Sequence, residues 1–328
     1  MKKIKYWIFL FPFFIFTGCT SYTELNELGI VSLLGIDYQN QKYHLYINIV
    51  EGNQEDGTLE KESIFYETEA KTLDQAFQKL YAKSNKKIYL SHMDCLLLTE
   101  NAMNTHLRDI IIYLLNQRDT RNNFELVQTQ SDMKDIFKGK MESKDLMDLI
   151  KTNEQYMGTT KSITFEEFLE EILIDQNTYL PLISYQDEFE VEGISLIQNF
   201  KVLDYVSKED TILINLLKNQ IHQAIYQDTT IYKNQTNLTY KKNQVTFHIQ
   251  MEVNKKNQHL QKELEEQLKG LINKYQEKEY DILKLSYQMK QNHLFSFQNR
   301  SILPENIQLK FEIQMKTVDN YLERELPI

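Results

Sequence analysis

The sequence predicts an α+β protein with two to three mixed α/β domains, whose largely antiparallel or mixed sheets are covered by helices. Several segments alternate apolar and polar residues with a period of two, as half-buried strands do. Segments with a helical apolar stripe lie between them. Only 9 Gly and 4 Pro occur in 328 residues, which argues against long flexible linkers.

The first eighteen residues are typical of a secretory leader. Lys2, Lys3 and Lys5 precede an apolar run from Tyr6 to Phe16, which is the layout of a signal peptide. The run is too short for a transmembrane helix, which needs roughly 20 apolar residues. We therefore predict that residues 1–18 are a signal peptide and not an anchor.

Cys19 directly follows the small residues Thr17 and Gly18. This arrangement resembles a bacterial lipobox, in which the cysteine receives a diacylglyceryl thioether and the chain is cut just before it. We expect cleavage between Gly18 and Cys19, and a lipoprotein that carries the thioether lipid and an N-acyl group such as palmitate on Cys19. About two acyl chains give stable anchoring, at about 0.8 kcal/mol per buried methylene. An ordinary thiol, or a disulfide with Cys95, is the alternative.

The chain is acidic once the leader is removed. The leader holds three lysines and no acid, so 34 basic residues remain against 47 acidic ones, a formal net charge of −13. A protein of this charge does not attract nucleic acid or anionic lipid. We expect no nucleic-acid partner, and we expect membrane attachment through the covalent lipid.

Up to residue 130 the chain alternates between predicted strands and helices, the pattern of a mixed sheet with helices packed on it. Thr72 and Gln75 predict a capping box at the start of the first helix. The acidic segment 51–62 is predicted to be a loop. The elements in chain order are strands at 28–37, 42–52 and 63–70, a helix at 73–81, a strand at 86–100, a helix at 106–117 and a strand at 123–130.

Residues 131–177 are predicted to be mostly helical, with a second capping box at Thr164 and Glu167. The helical periodicity then breaks, and we place a domain boundary there. The N-terminal α/β region spans 19–188, and a split near 130 would divide it into a sheet domain and a mostly helical middle domain. The C-terminal α+β domain spans 189–328.

The C-terminal domain is predicted to contain a strand, turn, strand and helix at 191–219 and two alternating strands at 244–253 and 305–316. A long amphipathic helix lies between the last two strands, and we expect its stripe to cover them. A partner-binding helix is the alternative. The stripe consists of Leu260, Leu264, Leu268, Leu271, Ile272 and Tyr275.

No motif for catalysis is present: the sequence lacks Gly-x-Ser-x-Gly, a phosphate loop and Gly-x-Gly-x-x-Gly. His92, Asp94 and Cys95 lie close together, but positions 92 and 95 of a strand point to opposite faces, and zinc needs about four ligands. We expect Cys95 to be a small buried hydrophobe and His92 to give a structural hydrogen bond at the edge of the core. We predict no metal, no cofactor and no enzymatic activity; an envelope enzyme with a scattered site is an alternative.

One polar cluster could bind a ligand. Arg118, Asp119 and Arg121 stand between a predicted helix and a predicted strand. Their charges would suit a carboxylate ligand, but a local ion pair and turn would use the same residues. We favour the structural role.

Several stretches, taken together in their order, resemble the Ger(x)C family, the lipoprotein C subunits of the nutrient germinant receptors of bacterial spores. The family usually has Trp-Asp directly after the lipidated cysteine, where this chain has Thr20, Ser21 and Tyr22. The stretches are GCTSYTELNELGIVSLLGID, LSHMDCLLLTENA, RDTR, TFEEFLEEIL, LPLI, EGISLIQNFKVLDYVSKEDTILINLL and LQKELEEQLKGLINKYQEKEYDILKLS.

The resemblance implies three mixed α/β domains and a non-enzymatic subunit, anchored through Cys19 on the outer face of the spore's inner membrane. It implies assembly with two membrane-embedded partners, the A and B subunits, into a complex that senses small-molecule nutrients. No catalytic residue is carried over. The rival hypothesis is a lipid-anchored solute-binding protein of a transporter, which would have two similar lobes around a hinged cleft.

Overall fold

Nine strands form one mixed sheet in the first two thirds of the chain, in a computed structural model that describes residues 28–55, 58–84, 86–117, 120–139, 142–241, 244–255, 258–291 and 307–318. The predicted signal peptide and Cys19 lie outside these residues. The strands are β1 (Leu28–Gln39), β2 (Lys42–Glu55), β3 (Thr58–Ala70), β4 (Lys87–Tyr89), β5 (Cys95–Thr99), β6 (Glu125–Thr129), β7 (Asn177–Tyr185), β8 (Phe189–Gln198) and β9 (Lys201–Val206).

The centre of this sheet is parallel and its two ends are antiparallel. Strands follow the order β3-β2-β1-β5-β6-β7-β8-β9, and β4 pairs with the start of β1. The pairs β1–β5, β5–β6 and β6–β7 are parallel, whereas β1–β2–β3 and β7–β8–β9 are antiparallel hairpins. The predicted mixed sheet is therefore confirmed.

A second sheet of four strands follows in the described part of the chain. Its strands are β10 (Ala224–Tyr226), β11 (Thr229–Lys241), β12 (Gln244–Val253) and β13 (Gln308–Thr317), in this order. The pairing of β12 with β13 is parallel, from Gln244 opposite Gln308 to Val253 opposite Thr317. Parallel neighbours need a long crossover connection, and the predicted amphipathic helix lies within it.

Helices cover both sheets, as the α+β prediction requires. The helices are α1 (Leu73–Ser84), α2 (Glu100–Leu115), α3 (Met133–Lys138), α4 (Ser143–Thr152) with a π-helical turn (Asn153–Met157), α5 (Phe165–Asp175), α6 (Lys208–Leu217), α7 (Gln258–Glu277) and α8 (Leu285–Gln291). Hydrophobic clusters place α1, α2 and α5 on one face of the first sheet and α3 and α4 on the other.

Local signals explain where several helices begin. The hydroxyl of Thr164 accepts from the backbone N–H of Glu167, whose carboxylate accepts from the backbone N–H of Thr164, so the predicted capping box is confirmed. The hydroxyl of Thr72 accepts from the backbone N–H of Gln75 at 3.3 Å. Thr99 caps α2 in the same way. Each such cap stabilises its helix by about 1 kcal/mol.

Two element predictions were wrong. Within the expected acidic loop at 51–62, residues 51–55 belong to β2 and residues 58–62 to β3, and the strands pair from Glu51 opposite Glu62 to Glu55 opposite Thr58. The sequence between these strands is Asp-Gly, a favoured hairpin dipeptide, and the acidic composition obscured this signal. The expected strand at 86–100 is interrupted, because the chain turns at 91–92 between β4 and β5.

The domain boundaries of the sequence analysis stay predictions. The boundary at 188 would fall in the turn of the β7–β8 hairpin, in which Tyr185 lies opposite Phe189. The first sheet itself continues through β9, which ends at Val206. The predicted boundary rests on the loss of helical periodicity alone. That signal does not show that the strands on either side of the boundary pair with each other.

Helix α7 joins the two sheets. All six residues of its predicted stripe are buried, and they belong to one hydrophobic cluster that also contains core residues of both sheets. Beyond the end of α7, the buried hydroxyl of Tyr280 donates to the backbone carbonyl of Thr178 in β7 at 2.7 Å. Ion pairs across the same junction join Lys278 to Asp204 at 2.6 Å and Lys284 to Glu171 at 3.2 Å.

Replacing Gly193 by Ala is expected to destabilise the fold by about 3 kcal/mol. Gly193 has φ +124°, and an added Cβ would stand 2.1 Å from the carbonyl oxygen of Val206. Gly270 in α7 provides the control, because an added Cβ there meets nothing within 4 Å. Gly270→Ala should stabilise the helix by roughly 0.5–1 kcal/mol. Urea unfolding measures both changes, and equal midpoints for the two variants would contradict the prediction.

Removing the Tyr280 hydroxyl, which bonds the segment after α7 to the first sheet, should lower the free energy of unfolding by about 1 kcal/mol. Tyr280→Phe loses the buried hydrogen bond to Thr178 while keeping the ring in place. Tyr232→Phe is the matched control, because Tyr232 is exposed, and it should change the unfolding free energy by less than about 0.5 kcal/mol. The midpoint of urea unfolding decides between these outcomes, and an unchanged midpoint for Tyr280→Phe would show that this contact does not hold the junction.

Candidate functional site

The described residues do not bring together the ligands of a metal centre. Within those ranges, no group of three or more His, Cys, Asp or Glu side chains comes together in a way that could hold a metal ion. No helix of the same ranges is long and apolar enough to cross a membrane.

In the structure His92, Asp94 and Cys95 have different surroundings and do not form a common site. His92 is exposed in the turn after β4, with its ring 5.8 Å from that of Tyr89, so its placement in a strand at the core edge was wrong. Asp94 accepts a hydrogen bond from the hydroxyl of Ser143 at 2.7 Å. Cys95 is fully buried at the start of β5, as expected. Burial raises the pKa of its thiol well above the usual value, which makes the sulfur a poor nucleophile.

The polar cluster of the sequence analysis is only partly within the described residues. Arg118 and Asp119 lie outside them, and Arg121 is exposed ahead of β6. Neither a carboxylate site nor a local ion pair follows from the position of Arg121 alone. The interpretation of this cluster stays a prediction.

One surface cavity has a volume of about 680 Å³ and lies where α6, α7 and β10 meet. Ile212 and Leu271 contribute to its apolar lining, and Ile225 on its wall is 45% exposed. Lys274 and Asp210 stand 3.7 Å apart among the lining residues. This cavity suits an apolar group, but its charged residues neutralise each other and give no preference for the charge of a ligand.

The second cavity, of about 450 Å³, lies where the turn between β1 and β2 meets the start of α1 and the end of α2. We call it the aromatic pocket. Three of its lining rings contact one another: the centroids of Tyr38 and His106 are 4.1 Å apart, those of Tyr38 and Tyr43 5.1 Å, and those of Tyr43 and His106 5.0 Å. The rings come from two strands and a helix, so the sheet and α2 together fix them.

Two carboxylates border the aromatic pocket. Asp109 lies 3.0 Å from Nδ1 of His106, and Asp74 stands in the first turn of α1. Burial, and next the negative charge of Asp109, raise the pKa of Tyr43 to about 12. Burial raises the pKa of Tyr113 as well, with smaller contributions from Tyr81 and Asp74. The tyrosines are therefore neutral rings close to negative charge.

Sequence reasoning did not identify the aromatic pocket. The sequence predicts that Tyr43 lies in a strand and that His106 begins a helix, and the structure places them in β2 and α2. Strand and helix periodicity describes one element at a time, whereas these rings meet through tertiary packing. Tyrosines on both sides of the tight turn at Asn40 and Gln41 were the only signal in the sequence.

Comparison with known proteins gives consistent results. The sequence model of the spore germination protein N-terminal domain matches residues 21–185. The chain is 23% identical over 234 residues to spore germination protein GerQC of Bacillus cereus, and this match covers 68% of the chain and 64% of GerQC. It is 21% identical over 277 residues to the putative spore germination protein YfkR of Bacillus subtilis (strain 168), with 79% of the chain and 71% of YfkR covered.

The crystal structure of the GerBC protein has a similar fold. The TM-score is 0.50 at 15% sequence identity, and the match covers 87% of this chain and 97% of GerBC. At this identity the likeness concerns the fold alone, and it agrees with the α+β architecture described above. The N-terminal domain model matches half of the sequence, and the matched range contains five of the seven stretches that resemble the family, the first of them except for its opening residues. The chain therefore belongs to the Ger(x)C family of spore germination proteins.

Proposed function

We propose that this protein is a lipid-anchored, non-enzymatic subunit of a spore nutrient germinant receptor. The observation that carries the proposal is the position of the family domain, which starts at residue 21, two residues after the lipobox cysteine Cys19. The lipid would thus be attached directly to the germination domain. The expected location is the outer face of the spore inner membrane.

A short tether limits how far the folded part can move from the membrane. Nine residue steps separate Cys19 from Leu28, where β1 begins, and an extended chain covers at most about 3.5 Å per residue. The start of β1 would stay within about 30 Å of the lipid. Confinement of this kind raises the effective concentration of the protein at its membrane partners, so that modest protein contacts suffice for binding.

The proposed partners are the membrane-embedded A and B subunits that the family resemblance implies. Together they would sense small-molecule nutrients and start germination. The rival function is a lipid-anchored solute-binding protein of a transporter. That class is built from two similar lobes, whereas the two described sheets differ in strand number and connectivity. This difference supports the receptor subunit over the transporter component.

The decisive test replaces Cys19 by Ala in sporulating cells. Without the thiol no thioether lipid can form, so most of the protein should leave the membrane fraction, and the germination response to nutrients should weaken strongly. Membrane fractionation, mass spectrometry of the N-terminal peptide and nutrient-triggered germination are the measurements. The folded domains should keep their unfolding midpoint, because Cys19 precedes the first described strand.

Two control variants make the result specific. Ser21→Ala changes a neighbouring residue but keeps the thiol, and it should stay in the membrane fraction. Cys95→Ala removes the buried thiol of β5, and its N-terminal peptide should still carry the lipid. A soluble Cys19→Ala protein with a full germination response would refute the anchored-receptor role, and an unmodified N-terminal peptide in the parent chain would refute the lipid anchor.

A further inference from the structure

We propose that the aromatic pocket between the β1–β2 turn, α1 and α2 is a binding site for a small organic cation that carries an alkylammonium group. The inference rests on four features of the pocket: its rings, its carboxylates, the end of α2 and its size. It does not depend on the receptor role. The pocket does not include Cys19, so it would be the same if this chain carried no lipid.

The rings provide the contact surface for a cation. An ammonium group is attracted to the face of an aromatic ring within about 6 Å of its centroid, with about 0.5–2 kcal/mol per contact. Tyr38 packs edge-on against Tyr43 and His106, with interplanar angles of 69° and 61°. Tyr43 is only 7% exposed, so the hydrophobic core holds this group of rings in place. A ligand would find the surface already ordered, which lowers the cost of binding.

The charges of the pocket favour a positive ligand. Asp74 and Asp109 outnumber Lys71, the single lysine among the lining residues. One oxygen of Asp109 faces the His106 ring at 3.0 Å, and its side chain is 63% exposed. The second oxygen of Asp109 can therefore face a cationic group without displacing His106.

The C-terminus of α2 adds negative potential. A helix carries about half a negative charge at its C-terminal end. Asn116 caps α2, and no basic residue stands in the last turn of the helix. Asn116 and Gln117 both line the pocket. The N-terminus of α1 also borders it, but Asp74 in the first turn already complements that end.

The size and shape of the pocket fit a small molecule. Ligand sites commonly have volumes of about 300–1,000 Å³, and this cavity has about 450 Å³. Ile112, at the pocket, exposes 47% of its surface and could pack against the alkyl part of a ligand. A larger polymer would not be enclosed in this volume.

The test compares two molecules of the same shape but different charge. Choline carries a quaternary ammonium group, and 3,3-dimethylbutan-1-ol is its neutral isostere. The full-length protein in neutral detergent is titrated with each molecule by isothermal titration calorimetry, at constant ionic strength set with sodium chloride. We expect saturable choline binding with a Kd of about 1 mM or tighter, and at least about tenfold weaker binding of the neutral molecule.

Variants assign the binding to the pocket. Tyr38→Leu should weaken choline binding about fivefold or more, whereas Tyr38→Phe should keep it, because the ring and not the hydroxyl makes the contact. Asp109→Asn should weaken it about threefold, as expected for an exposed charge pair. Tyr232→Leu and Asp148→Asn replace an exposed tyrosine and an exposed aspartate that do not line the pocket. Both should bind choline like the parent protein.

Three outcomes would overturn the proposal. Equal affinities for choline and the neutral isostere would show an apolar cavity without preference for charge. Absence of saturable choline binding in the folded parent protein would exclude the site. Unchanged affinity in Tyr38→Leu, with an unfolding midpoint that confirms the fold, would move the binding to another surface. None of these results would alter the fractionation expected for Cys19→Ala.

Discussion

The parallel pairing of β12 with β13 is the constraint on which the arrangement of the two sheets depends. Two parallel neighbours cannot be joined by a tight turn, so the chain between Val253 and Gln308 must cross over the sheet. Helix α7 lies in this crossover and buries its stripe against the second sheet. The residues after α7 then reach the first sheet, where Tyr280 bonds to Thr178. The parallel pairing thus requires a crossover segment. That segment provides both the helix that packs on the second sheet and the residue that bonds to the first.

Much of the fold could be predicted because single elements carry strong periodic signals. The alternation at 244–253 and the stripe of α7 each describe a face that must be buried, and both are confirmed. The capping box at Thr164 is a local hydrogen-bond pattern, which depends on few residues. The antiparallel pairing of β2 with β3 was missed because the acidic composition of these strands outweighed the Asp-Gly dipeptide in the sequence between them.

Features that depend on tertiary packing could not be predicted. Tyr38 and His106 lie 68 positions apart in the sequence, and only the packing of α2 on the sheet brings their rings to 4.1 Å. The same holds for the β7–β8 hairpin, which crosses the predicted boundary at 188. The family resemblance supplied the order of the segments, but it carried no information about which side chains meet in space.

Strand β1 has a consequence for how a signal could travel through this protein. It begins at Leu28, near the tethered end of the chain in the proposed function, and Tyr38 near its other end lines the aromatic pocket. Ten residue steps at about 3.3 Å each make a distance of roughly 33 Å. A ligand in the pocket would therefore act on a membrane partner at a distance. Its binding energy would have to be transmitted along a strand that pairs with β2 on one side and with β4 and β5 on the other.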